Sequence, residues 1–194
     1  MNIFYTKTYN LSGENAKKQE LIAEAAGKLD FQELSFFRFP DQCDSDEELK
    51  MRMNAITAAV SNDAVVFMQY PSMVSSRYDE AFMHAIKLYK GVRLIIIVED
   101  LGSEVCKGPY PEVDREIDFL NGADLLIITS EPMKEQLIQK GVKDKSILCR
   151  KIENDFYPMD EDIMDSGTMQ LLQRNSLYIR KLLLDAIFES KIKK

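Results

Sequence analysis

The chain has 194 residues, of which 45% are apolar and 29% are charged, a balance typical of globular proteins. This length predicts one domain with a substantial core. The formal net charge of −7 argues against nucleic acid as a partner, since phosphate backbones require a basic surface. The longest apolar run, 94–98, is far shorter than the roughly 20 residues that span a bilayer. With no signal-peptide pattern at residues 1–10, we expect a cytoplasmic protein without a transmembrane segment.

Short β-branched runs alternate along the chain with segments of helical period, which is typical of βαβ units and a parallel sheet. The predicted strands are residues 2–6, 34–39, 64–70, 94–98, 124–129 and 147–150. Helices are predicted at 15–29, behind the capping box of Ser45 and Glu48, at 77–89, around 113–120 and behind Ser130. The predicted fold is therefore α/β, a Rossmann-like parallel sheet of about six strands with helices on both faces.

The character of the sequence changes after residue 150. We predict a Rossmann-like domain at 1–150, an acidic linker at 151–168 and a C-terminal helix at 169–194 that packs on the same domain. The apolar stripe of this helix is broad, which fits packing on the sheet or a surface for self-association equally well. The acidic residues of the linker lack the spacing of a calcium loop, and no C-x-x-C pair occurs, so no metal site is predicted.

In open parallel sheets, ligands bind beyond the carboxyl ends of the strands. The polar residues that follow the predicted strands are therefore the candidate ligand-binding residues. They are Thr6, Asn10, Ser12 and Gly13 after the first strand, Gln69, Tyr70 and Ser72 after the third, and Ser130 after the fifth. Their hydroxyl and amide groups suit a polyhydroxylated ligand such as a sugar. Strand-end loops are polar in any fold, so a structural role for each of them stays open.

The adjacent carboxylates Glu99 and Asp100 after the fourth strand are the candidate catalytic residues. A buried carboxylate with a raised pKa can accept the proton of an acceptor hydroxyl. Because neighbouring side chains on an extended segment point in opposite directions, at most one of them faces the cleft. The alternative is that one caps the loop and the other is solvated. Ser12–Gly13 could receive an anion at the start of a helix. Neither a G-x-G-x-x-G nor a P-loop motif occurs, and we expect no cofactor.

Several segments resemble a known family of enzymes. The segment 61–79 contains Gln69-Tyr70-Pro71 and leads into the Tyr78-Asp79-Glu80-Ala81-Phe82 helix, and Glu99-Asp100 ends the next strand. Together with ADLLIITSEPMKEQLIQKGV at 123–142, these segments are similar to the N-terminal domain of the glycosyltransferases that extend glycans on bacterial serine-rich adhesins. They also resemble the related bacterial galactofuranosyltransferases. The resemblance covers roughly residues 1–150.

The resemblance implies half of a GT-B fold, in which a first domain binds the acceptor and a second binds a nucleotide-sugar, without a metal. The family has a histidine where this sequence has Glu99. Since the residues after 150 are too few for a nucleotide-binding domain, the expected protein is the acceptor-side half. We expect an accessory subunit of bacterial glycan synthesis that binds a glycan or glycosylated acceptor and pairs with a separate donor-binding chain. A sugar transferase assembled as a homo-oligomer and a non-catalytic binding module are the alternatives.

Overall fold

The computed structural model describes residues 1–105, 113–144, 147–149 and 166–192. Six parallel strands form one sheet in the order β2-β1-β3-β4-β5-β6. The strands are β1 (Ile3–Tyr9), β2 (Gln32–Phe37), β3 (Val65–Tyr70), β4 (Arg93–Val98), β5 (Leu125–Ile128) and β6 (Ile147–Cys149). The prediction of a six-stranded parallel α/β sheet is confirmed.

Seven α-helices lie in the described parts of the chain. They are α1 (Glu14–Gly27), α2 (Asp46–Ile56), α3 (Ser76–Lys87), α4 (Gly102–Val105), α5 (Val113–Asn121), α6 (Glu131–Gln139) and α7 (Ser166–Ile192). Sequence analysis did not predict the one-turn α4. The described segments contain no helix that is both long and apolar enough to cross a bilayer.

Helices cover both faces of the sheet, which makes every residue of the central strands β3, β4 and β5 buried. On one face, α1 and α7 pack on side chains such as Phe67, Ile95 and Ile127. On the other face, α2, α3, α5 and α6 pack on side chains such as Met68 and Ile96. Alternate residues of each strand thus enter two separate cores.

The helix α7 is held on the same face as α1. The Lys28 ammonium donates to the Ser176 hydroxyl at 3.3 Å, and the Arg93 guanidinium donates to the Ile187 carbonyl and the Ser190 hydroxyl. The helix begins at Ser166, three residues before its predicted start. Among its side chains at 176–192, four large apolar ones are exposed: Leu177, Leu184, Phe188 and Ile192. The rest of the predicted acidic linker, 151–165, lies outside the described residues.

The first strand is longer than predicted. β1 continues to Tyr9 because its neighbour β2 pairs with it throughout, with Lys7 opposite Ser35 and Tyr9 opposite Phe37. The rings of Tyr9 and Phe37 stack with centroids 5.3 Å apart, which supports this pairing. The prediction that the strand ends at Thr6 was wrong, since the polar residues that follow Thr6 continue the pairing with β2.

Candidate functional site at the carboxyl edge of the sheet

The switch point of the sheet lies between β1 and β3, because the chain builds outward from β1 in one direction through β2 and in the other through β3. The β1–β3 ladder stops at Tyr5 opposite Phe67, whereas the β1–β2 ladder continues to Tyr9. Strands β1 and β3 therefore separate toward their carboxyl ends. This opening is where a doubly wound sheet binds its ligands.

Side chains bridge the two strands where the ladder ends. The Gln69 backbone N–H donates to the Thr6 hydroxyl at 2.9 Å, and the Gln69 amide nitrogen donates to the Thr6 carbonyl at 2.7 Å and the Gln19 carbonyl at 3.4 Å. Both amide hydrogens of Gln69 are thereby used. Its oxygen Oε1 is buried and has no hydrogen-bond partner within the described part of the chain. The orientation of the Gln69 amide is therefore fixed, while its acceptor atom Oε1 stays without a donor in the described part of the chain.

Gln19 of α1 joins the loops that follow both strands. Its carbonyl oxygen Oε1 accepts from the Thr8 backbone N–H at 3.2 Å, and its nitrogen Nε2 donates to the Pro71 carbonyl at 3.3 Å. Gln19 is 2% exposed, so these bonds form away from water, where an unpaired amide would be costly. The amide thus fixes the position of α1 relative to the switch point.

Glu99 directly follows β4 and lies beside Pro71, where its backbone N–H donates to the Tyr70 carbonyl at 2.9 Å. The residue is 8% exposed, and its oxygen Oε1 has no hydrogen-bond partner among the described residues. Burial raises the pKa of the Glu99 carboxyl to about 8; the charge of Lys18 opposes this effect and that of Asp100 adds to it. Near neutral pH this carboxyl can both hold and release a proton.

Asp100 has a different environment from Glu99. Its carboxylate is partly exposed and forms an ion pair with the Lys18 ammonium at 3.5 Å. The two adjacent carboxyls therefore have different environments: one is buried, and the other meets a cation near the surface. Their assignment as catalytic residues stays a prediction.

Tyr70 and Ser72 have structural contacts. The Tyr70 hydroxyl donates to Glu116 at 2.6 Å, and the same carboxylate accepts from the Gly102 backbone N–H and the Ser103 hydroxyl. The Ser72 hydroxyl accepts from the Val74 backbone N–H at 3.3 Å. Both side chains are buried. They support the loops after β3 and β4, and the predicted ligand-binding role of each stays a prediction.

The remaining predicted ligand-binding residues lie around this edge. Asn10 and Ser12 are exposed, and Asn10 and Gly13 have positive φ angles of 64° and 76° that turn the chain from β1 into α1. Gly13 occupies the N-cap position, where no side chain accepts from the helix. Ser130 is the N-cap of α6 and accepts from the Met133 backbone N–H at 3.3 Å. The structure thus places nine of the ten candidates at the carboxyl edge of the sheet, whereas Thr6 lies within β1 and is joined to Gln69 of β3 by two hydrogen bonds.

Sequence analysis missed three residues that organise this edge: Lys18, Gln19 and Glu116. Each lies on a helix that was assigned only by its apolar positions. A polar residue among apolar neighbours on the buried side of such a helix was the available signal for Gln19 and Glu116. No group of three His, Cys, Asp or Glu side chains able to hold a metal ion occurs within the described segments.

The fold and site define a doubly wound α/β protein with a polar switch point that contains a buried carboxyl group. The family model described as "Glucosyltransferase 3-like, N-terminal domain" matches residues 2–152. The chain belongs to this family, which confirms the resemblance deduced from the sequence and makes the protein glycosyltransferase-related.

Two relatives share its sequence at moderate identity. Glucosyltransferase 3 of Streptococcus gordonii is 29% identical over 154 residues, which is 78% of this chain and 46% of the relative. Glucosyltransferase 3 of Streptococcus parasanguinis is 26% identical over 147 residues, which is 73% of this chain and 43% of the relative. The match therefore spans less than half the length of each relative.

Proposed function

We propose that this protein binds the glycan acceptor of a sugar-transfer reaction at the switch point between β1 and β3. The observation that carries the proposal is Glu99, a buried carboxyl at the carboxyl end of β4, next to β3, with its pKa raised to about 8. The family match of residues 2–152 supports it, because that family is named for a glucosyltransferase domain.

Glu99 is proposed as the general base of the reaction. An acceptor hydroxyl forms a new bond to the anomeric carbon of a nucleotide-sugar, the bond from that carbon to the phosphate oxygen breaks, and a nucleoside diphosphate leaves. The hydroxyl proton passes to the Glu99 carboxylate. A base with a pKa near the working pH combines a useful ionised fraction with a strong affinity for the proton. Asp100, paired with Lys18, carries its charge toward the surface instead.

Gln69 is proposed to orient the acceptor. Its two amide hydrogens are held by the Thr6 and Gln19 carbonyls, so its Oε1 can accept a hydrogen bond without reorganisation. A fixed amide oxygen and a carboxyl group at the ends of the neighbouring strands β3 and β4 suit a ligand with two hydroxyls, one for each. A ligand without hydroxyls would leave these buried polar groups of the site unpaired, which weakens its binding. The site is therefore selective for sugars over apolar ligands.

The donor is proposed to bind to residues other than these, across a cleft of the GT-B type. Two arrangements are considered. In an accessory subunit, a separate glycosyltransferase chain supplies the donor side. In a self-associated transferase, further copies supply it, and the exposed apolar stripe of α7 supports an assembly of copies.

The first experiment measures glycan binding by saturation-transfer NMR with glucose-, galactose- and N-acetylglucosamine-terminated oligosaccharides. We expect at least one to bind and Gln69→Leu to lose binding. Gln32→Leu is the matched control, because Gln32 is exposed on the outer strand β2. Absence of binding by any of these glycans, or equal binding by both variants, would contradict the proposal.

A second experiment separates the two arrangements. Calorimetric titration with uridine diphosphate and its sugars is combined with the mass of the protein in solution. Saturable nucleotide binding by an oligomer supports the self-associated transferase, whereas acceptor binding without nucleotide binding supports the accessory subunit. In a transferase assay with the completed enzyme, Glu99→Gln abolishes turnover while Asp100→Asn retains it.

A further inference from the structure

A cavity lies at the edge of the sheet opposite the proposed acceptor site, beside the amino ends of the strands. Its volume is about 580 Å³, which is within the range of small-molecule pockets. Arg93, the first residue of β4, and Lys191, near the end of α7, contribute cationic groups to its lining. Glu99 follows the other end of the same strand. The cavity is therefore separate from the proposed acceptor site.

The Arg93 guanidinium is a buried charge without a paired carboxylate. The residue is 6% exposed, and its nitrogens donate to the Ile187 carbonyl at 3.2 Å, the Ser190 hydroxyl at 2.9 Å and the Met1 sulphur at 3.1 Å. No ion pair within the described segments includes Arg93. A buried cation in this state lacks the compensation that buried charges usually have.

The acidic groups near Arg93 compensate it only from a distance. Burial lowers the pKa of the Arg93 guanidinium from its ordinary value, while the carboxylates of Asp124 and Asp63 act against that shift. Asp124 accepts from the Leu94 backbone N–H at 2.8 Å. The Asp63 carboxylate lies against Gly91. Asp124 is thus engaged by β4, and neither carboxylate forms an ion pair with Arg93 within the described segments.

The cavity wall combines this cationic pair with neutral hydrogen-bonding groups. Arg93 and Lys191 provide two positive charges against the single carboxylate of Asp63. Asn2 and Ser61 also line the cavity, and the Asn2 amide donates to the Ser61 hydroxyl at 3.0 Å. This excess of positive charge is local, because the whole chain carries −7. Guanidinium and ammonium groups with neighbouring amides suit the oxygens of a phosphate or carboxylate group.

We propose that this cavity is a binding site for a small oxyanion, a phosphate or carboxylate group, that contacts Arg93 and Lys191. The anion supplies the countercharge that Arg93 lacks. It also joins the start of β4 to the end of α7, since the two cationic residues belong to these two elements. The site is independent of glycan binding at the carboxyl edge.

The test is titration of the protein with inorganic phosphate and, separately, with succinate, followed by two-dimensional NMR at constant ionic strength. We expect saturable shifts of the backbone amides of Ser61, Asp63 and Gly91 with at least one of the two anions. The anion that saturates at the lower concentration identifies the phosphate or carboxylate source. Shifts spread over the whole surface, or none at these amides with either anion, would overturn the proposal.

Lys191→Met is the informative variant, because Lys191 is exposed and its loss should not disturb the fold. Losing one ion pair at the surface predicts roughly fivefold weaker anion binding. Lys181→Met is the matched control, since Lys181 is exposed on the same helix and does not line the cavity. Equal affinities of the two variants would show that overall charge, not this cavity, attracts the anion.

Discussion

Strand β4 has a buried ionisable side chain at each end, a basic one at the start and an acidic one after the last residue. Arg93 begins the strand and Glu99 follows it, and both side chains are buried on the face that α1 and α7 cover. Neither forms an ion pair within the described segments. A strand whose residues 94–98 are all apolar therefore has one buried ionisable group at each end, without an ion pair in the described segments.

The two groups differ in how the protein accommodates them. The Arg93 guanidinium stays charged and donates to acceptors at the end of α7, where the carbonyl groups carry partial negative charge. Glu99 has an oxygen without a donor, and its pKa is raised to about 8, so it is mainly protonated below that pH. One buried group is thus fixed structurally, while the other remains able to change its charge. That difference suits a structural anchor at one end and proton transfer at the other.

The largest expected effect is that of Glu99→Gln on the pH dependence of the unfolding free energy. Its folded-state pKa lies above its ordinary value, so its contribution to stability is complete at low pH and is lost as the pH rises toward 8. Glu99→Gln removes this dependence. We expect the unfolding free energy of the variant, relative to that of the original protein, to increase by about 4 kcal/mol between pH 5 and pH 9.

Urea unfolding at both pH values measures this change, and Asp100→Asn serves as the control because its carboxylate is partly exposed beside Lys18. The same pH dependence in Glu99→Gln and the original protein would show that Glu99 is solvated. The two ends of β4 would then no longer be comparable.

Arg93→Met tests the opposite end of the strand. The substitution keeps an apolar stem of similar length but removes the hydrogen bonds to the Ile187 carbonyl and the Ser190 hydroxyl. We expect a loss of about 2 kcal/mol in unfolding free energy, because charged donors contribute more than neutral ones. Urea unfolding measures the loss, with Lys181→Met as the control. A more stable Arg93→Met would mean that the cost of burying the guanidinium exceeds the value of its bonds.

A smaller effect is expected where β1 and β3 separate. Thr6→Val removes the hydroxyl that accepts from the Gln69 N–H and leaves that buried donor unpaired. We expect a loss of about 1–2 kcal/mol, measured by thermal unfolding. Thr8→Val is the matched control on the same strand, since the Thr8 hydroxyl makes no hydrogen bond within the described parts of the chain. Similar losses in the two variants would exclude a special role for the Thr6 bond.

The fold could be predicted from the sequence because its signals are local. The apolar run 94–98 and the capping box of Ser45 and Glu48 specify a buried strand and a helix start without reference to the rest of the chain, and both are present. The extension of β1 to Tyr9 was missed because it depends on pairing with β2. That pairing is a tertiary contact, which no local propensity records.

The location of polar residues at the strand ends was predictable, but their hydrogen-bond partners were not. The rule for parallel sheets places polar residues such as Gln69 and Glu99 at one edge. It does not say that Gln69 turns both amide hydrogens toward Thr6 and Gln19, or that Tyr70 turns its hydroxyl toward Glu116. These partners are 46 or more residues away in sequence. Their identity is set by packing of helices on the sheet, which the sequence pattern does not resolve.

The smallest expected effect separates a helix cap from a ligand contact at Ser130. Ser130→Ala should cost about 1 kcal/mol of stability, because the hydroxyl accepts from the Met133 N–H at the start of α6. Ser130→Asp preserves the cap and should restore stability in thermal unfolding. If Ser130 also contacts the acceptor, glycan affinity falls in both variants, whereas a cap alone leaves the affinity of Ser130→Asp unchanged. The second outcome would confine the acceptor site to β1, β3 and β4, where Gln69 and Glu99 lie.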